Sequence, residues 1–264
     1  MNLKSPKIAV ILALFAVATT PVFAAPPSTS TLKPTIVLVH GAFADGSSWN
    51  GVIGDLLADG YPVIAAANPL RSVKFDADSV SRIIDTLPGP VILVGHSYGG
   101  EVISAAAVGH ANVRSLVFVA AFAPERGETA LSITGMFSGS TLGGTLATPV
   151  RLSGGGADLY IQQDRFPAQF AADVPIADAK LMAAEQRPIT KEALAEPSGD
   201  PAWKSIPSWF VFGSLDLSIS PAAHAFMAAR AKSKKTVIID GASHAVMVSH
   251  SREVASLIEE AASR

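Results

Sequence analysis

The stretch Val91-Ile92-Leu93-Val94-Gly95-His96-Ser97-Tyr98-Gly99-Gly100-Glu101 decides the fold. Four successive apolar residues, mostly β-branched, have the pattern of a strand buried on both faces. They run straight into G-x-S-x-G, and Glu101 to Val108 is compatible with a helix. That order describes a sharp strand-to-helix turn which lifts the Ser97 hydroxyl above a sheet, with glycines where a β-carbon would collide with neighbouring backbone. A free serine hydroxyl is a weak nucleophile near neutral pH. Such a turn therefore calls for a base beside it and a third group to orient the base.

Similar apolar runs recur on either side, at Thr35 to Val39, Pro62 to Ala66, Ser115 to Ala120, Pro207 to Phe212 and Lys235 to Ile239. Helix-compatible stretches separate them at Trp49 to Ala58, Asp78 to Leu87, Pro221 to Ala231 and Ser251 to Ala262. Wholly apolar strands alternating with helices predict an α/β fold, a mostly parallel sheet of about six strands covered on both faces. The alternation lapses over 124–201, which holds Gly-rich patches and helical candidates at Ala157 to Ala172 and Ile176 to Glu185. A structureless loop of that length is improbable, so the segment is expected to be a small helical cap inserted between two strands. Caps of this kind shape substrate pockets.

Residues 1–24 have a different character: Lys4 and Lys7, an apolar run from Ile8 to Val17, then Val22-Phe23-Ala24. This is the pattern of a secretory signal peptide cleaved near Ala24, and the run is only about half of the ~20 residues a membrane span requires. The expected mature protein is periplasmic or secreted and free of the membrane, with a flexible leader over 25–34 and one domain over 35–264. Removing the first 24 residues takes two lysines and no acid, so the formal charge moves from −2 to −4. A mildly acidic body without a basic run speaks against nucleic acid as a partner. With no cysteine there is neither a disulfide nor a thiol nucleophile.

The partners that Ser97 needs lie beyond later strands. Asp216 follows Trp209 to Phe212 through Gly213-Ser214-Leu215, and His244 follows Val237 to Ile239 through Asp240-Gly241-Ala242-Ser243. In these roles His244 takes the serine proton, while Asp216 fixes the imidazole tautomer and stabilises the transient imidazolium. Negative charge on the attacked carbonyl oxygen requires preorganised donors. The backbone N–H of Tyr98 is one candidate. The loop His40-Gly41-Ala42-Phe43 after the first strand supplies the other, from Ala42 or alternatively Phe43. Glu125, at another strand end, is a rival for the acid, and Asp200 and Asp240 are weaker ones.

Structural roles are expected for the remaining polar residues. His40 is assigned to bracing its loop and His96 to packing in the turn, while His110, His224 and His250 are taken as helix-end or surface residues. Asp45 is expected to cap the helix after its loop and Glu101 to sit at a helix N-terminus, while Gln186-Arg187-Pro188 is read as ending a helix, with a polar contact in the pocket as the alternative. Phe137, Tyr160, Phe166, Met182 and Trp203 are read as cap core, some of them touching ligand. No metal-ligand spacing or phosphate-binding glycine loop is present, so neither metal nor cofactor is expected.

His40-Gly41-Ala42-Phe43 with Trp49, the turn at Ser97 and Ser243-His244-Ala245-Val246-Met247 together resemble the α/β-hydrolase superfamily, over Thr35 to the C-terminus. Within it they are similar to the group of plant methyl esterases, hydroxynitrile lyases and bacterial carboxylesterase-like proteins. The resemblance implies a cofactor-free serine hydrolase acting on small or medium apolar carboxylic esters. Hydroxynitrile lyases of that group carry Thr where this chain has Gly41 and Lys where it has Ala245, so the resemblance favours ester hydrolysis. Lactonase, thioesterase, amidase and cofactor-free perhydrolase chemistry could use the same three residues. A non-catalytic binding protein that keeps the pocket is a further alternative.

Overall fold

The computed structural model describes residues 1–3 and 33–264. The expected signal peptide and most of the expected leader lie outside the described residues. Six strands, β1 (Thr35–Val39), β2 (Val63–Ala66), β3 (Val91–His96), β4 (Val113–Val119), β8 (Ser208–Gly213) and β9 (Thr236–Ile239), form one sheet in the order β2-β1-β3-β4-β8-β9. Every neighbouring pair in it is parallel.

Successive side chains leave opposite faces of a strand. Val37, Val39, Leu93, Phe118 and Phe210 accordingly face one core, and Ile36, Leu38, Val94, Val117 and Val211 face the other. The first core is closed by α2 (Val73–Asp85), α3 (Gly99–Ala106) and α8 (Pro221–Arg230). The second is closed by α1 (Asn50–Ala58), α9 (Val246–Ser249) and α10 (Ser251–Ala262). Burial on both faces explains why the central strands β1, β3, β4 and β8 are mostly apolar, while the edge strands β2 and β9 are only partly buried. Among the described residues no helix is long and apolar enough to cross a membrane.

Helix α2 begins at Val73, five residues before the expected start. Ser72 caps it by accepting from Phe75 N, and the Glu196 carboxylate takes Val73 N and Lys74 N at 2.7 and 3.1 Å. Ser72 is a local start signal, whereas the contribution of Glu196, more than a hundred residues away, leaves no mark on the local sequence.

The cap also departs from expectation. Helices α4 (Ala130–Met136), α5 (Phe166–Phe170), α6 (Ile176–Glu185) and α7 (Lys191–Ala195) accompany a three-stranded antiparallel sheet. Its strands β5 (Val150–Arg151), β6 (Ala157–Leu159) and β7 (Ile189–Thr190) pair in sequence order. The expected helix over Ala157 to Ala172 is thus a short strand, a turn and one helical turn. Pro167 sits in the first turn of α5, where a missing N–H costs nothing, and in a longer helix it would have broken the interior. Helix α6 has the expected bounds.

The cap is tied to the core at Arg71, just before α2. Its guanidinium reaches Asp158 on β6 at 2.6 Å and Pro188 O at 2.8 Å, while Thr190 Oγ1 donates to Arg71 O.

Candidate active site

The chain order changes direction between β1 and β3, and open α/β sheets bind ligands in the crevice beyond the strand ends at such a point. Ser97 follows β3 there in a left-handed conformation, φ 53°. Only glycine fits beside so tight a turn. A β-carbon on Gly95 would lie 2.5 Å from Gly99 O, and one on Gly99 would lie 2.5 Å from Val39 O.

Ser97 and His244 line one cavity of about 300 Å³. Among the described residues, Ser97 Oγ makes no hydrogen bond. The cavity wall is mostly aliphatic and aromatic, with Leu131, Leu142, Leu146, Leu159 and Leu194 from the cap and Phe122 from the core. Among the described residues Lys191 is the one lysine, arginine or acid that lines it.

Asp216 is buried and accepts four hydrogen bonds. Oδ1 takes Ser218 N at 2.8 Å and Ile219 N at 3.0 Å; Oδ2 faces His244 Nδ1 at 2.7 Å and His224 Nε2 at 3.0 Å. Burial alone would raise its pKa. The charge of His244 and the hydrogen bonds from His224 and His244 outweigh that and hold the carboxyl well below its usual range. An ionised carboxylate only accepts, so His244 Nδ1 carries a proton and its other nitrogen is left to serve as a base.

The other acids are engaged elsewhere. Glu125 pairs with Lys204, Asp200 with Arg126, and Asp240 accepts from Ser214 Oγ. Of the four sequence candidates, only Asp216 meets His244.

The loop after β1 is braced as expected. His40 Nδ1 donates to Gly41 O at 3.0 Å, and its Nε2 accepts from Asn68 N at 3.1 Å. Burial lowers the His40 pKa, consistent with a neutral ring in that role. Phe43 has φ 60° and its N–H donates to Arg187 O at 3.0 Å, so it is not a free donor. The N–H groups of Ala42 and Tyr98 have no hydrogen-bond partner among the described residues, and both residues line the cavity. Asp45 caps the turn leading into α1 through Ser47 N at 2.8 Å.

His96 is buried, with its pKa pushed well down by desolvation, and its Nε2 donates to His244 O at 3.1 Å. The His244 loop is further held by Ala245 N on Phe170 O at 3.0 Å and by Ser243 Oγ on Asp173.

Two sequence expectations need correction. His224 is a buried partner of Asp216 rather than a surface residue. The available signal was its register with Ala223, Met227 and Ala228 on the buried face of α8. None of Phe137, Tyr160, Phe166, Met182 and Trp203 lines the cavity. Glu101 does more than sit at a helix N-terminus: it is buried, bonded to Ser198 Oγ, and burial pushes its pKa up to about 8. Gln186 does end α6, and it joins Ile161 N and O at 2.8 and 2.9 Å. Among the described residues no group of three or more His, Asp or Glu could hold a metal ion.

The fold has known counterparts. The model of the alpha/beta hydrolase family matches residues 36–257. The chain belongs to that family. An alpha/beta hydrolase of Aspergillus novofumigatus, nvfD, is 25% identical over 250 residues, covering 88% of this chain and 97% of the relative. A carbendazim-hydrolysing esterase of Nocardioides is 34% identical over 110 residues, 37% of this chain and 46% of its own length. Among solved structures, a methylesterase of Arabidopsis superposes with TM-score 0.71 at 16% identity, covering 87% of this chain and 99% of its own. The hydrolase group suggested by the sequence motifs is therefore represented among the structural neighbours.

Proposed function

We propose that the protein is a serine hydrolase that cleaves carboxylic esters of small or medium apolar substrates through an acyl-enzyme. One arrangement carries the proposal: Ser97, the His244–Asp216 pair and the unpartnered N–H groups of Ala42 and Tyr98 converge on one apolar cavity. Ser97 attacks the ester carbonyl as His244 Nε2 takes its proton, a contact that tightens when substrate enters. Charge on the carbonyl oxygen is met by the two N–H groups, and the His244 proton passes to the departing alcohol. Water activated by His244 then releases the acid and restores Ser97.

The esterase named among the relatives supports the ester as substrate, and the aliphatic wall favours an apolar one. The leader pattern over 1–24 supports action in the periplasm or outside the cell, which cell fractionation would check. Wild-type protein should hydrolyse p-nitrophenyl butyrate, and Ser97→Ala should lower kcat/KM by at least ~10³-fold. A fluorophosphonate should attach to Ser97 alone. Wild-type rates in Ser97→Ala would overturn the proposal.

A further inference from the structure

We propose that His224 is a positioning residue for this reaction, a second imidazole that locks the Asp216 carboxylate and limits how much of its charge reaches His244. The inference rests on the serine hydrolase proposal and deepens it. A triad needs one imidazole on its acid; here two share a single oxygen, at 2.7 and 3.0 Å.

The carboxylate is held from both ends. Oδ1 is fixed by two backbone N–H groups of the 218–219 turn, so its orientation would already be set if orientation were the whole requirement. His224 adds a donor to the one oxygen that faces His244. Because Asp216 only accepts, His224 Nε2 carries the proton in that contact, while Nδ1 has no partner among the described residues. The ring is unexposed and lies stacked on Phe212, centroids 4.8 Å apart, so water cannot take its place. Helix α8 delivers it: Ser220 caps the first turn, and His224 follows on the inward face.

A hydrogen bond donated to a carboxylate oxygen withdraws charge from it, leaving less to stabilise a proton on a neighbour. His224 therefore makes the imidazolium at His244 less stable than an unshared Asp216 would. The base gives up its proton to the leaving group more readily. Other ionisable groups near this assembly are His96, which packs 4.8 Å from His244, and Asp173, bonded to Ser243 beside it. Neither touches Oδ2.

The test compares His224→Phe, which keeps the stacked ring and removes the donor, with His224→Gln, which keeps an amide donor. Kinetics on p-nitrophenyl butyrate are measured from pH 5 to 9. In the phenylalanine variant kcat should fall about tenfold with KM within about twofold. The acid limb of its kcat/KM profile should move about half a pH unit upward. Glutamine should recover most of the rate and return the limb toward wild type.

An unmoved acid limb in the phenylalanine variant overturns the inference, and so does equal loss in both variants. Should the phenylalanine variant fail to fold, nitrogen-15 histidine NMR of the wild type decides. Protons on His244 Nδ1 and His224 Nε2 are expected, and a bare His224 Nε2 refutes the assignment. Activity that survives Ser97→Ala would instead sink the underlying hydrolase proposal.

Discussion

Replacing Glu101 by glutamine should stabilise the protein by an amount that grows with pH. Glu101 lies in the first turn of α3, with one oxygen on Ser198 Oγ and the other, Oε2, without a partner among the described residues. Burial raises its pKa from an ordinary 4.5 to about 8. Between those values the unfolded chain has released the proton while the folded chain keeps it. Folding must then take up a proton, and stability falls as pH rises, by about 1.4 kcal/mol per pH unit, flattening above pH 8. Across the window the loss reaches about 5 kcal/mol at most. Glutamine keeps the acceptor for Ser198 and cannot ionise, so the variant escapes this loss. Urea denaturation of both proteins at pH 5, 6.5 and 8 isolates the effect, because every other titrating group cancels in the difference. The variant should match wild type near pH 5 and exceed it by several kcal/mol at pH 8. A constant difference across the range, or one that shrinks with pH, would refute the reasoning.

Two further outcomes follow from close contacts. Gly99→Ala forces a β-carbon to 2.5 Å from Val39 O and should cost about 2–3 kcal/mol of stability, read as a lower urea midpoint; an unchanged midpoint would contradict the close approach. Arg71→Ala removes the links from the core to Asp158 and Pro188 and should speed limited proteolysis within 146–161. Unchanged cleavage would mean that the cap is held by other contacts.

The parallel sheet was legible because its strands are predominantly apolar runs alternating with helices, which also located the ends from which Ser97, Asp216 and His244 emerge. Sequence spacing leaves both Asp216 and Glu125 open as the acid, since both follow strands; in the fold Asp216 Oδ2 lies 2.7 Å from His244 Nδ1, while Glu125 pairs with Lys204. What escaped sequence reading depends on distant partners. The Glu196 carboxylate starts α2, and Arg71 braces a strand too short to show alternation. His224 was misassigned because a histidine in an alanine-rich helix looks peripheral until the packing of that helix is known. The cavity wall escaped as well, since five leucines and Phe170 supply the cap's apolar side of it, and none of Phe137, Tyr160, Phe166, Met182 and Trp203 does.

The single hydrogen bond from Phe43 N to Arg187 O has an evolutionary consequence. It means that the strand-end loop carrying Ala42 takes its shape partly from the inserted segment above it. Grafting a whole foreign lid onto this scaffold would therefore disturb the catalytic floor along with the roof. New preferences are better sought by exchanging individual leucines at Leu142, Leu146 or Leu194, which recontour the chamber and leave that joint intact.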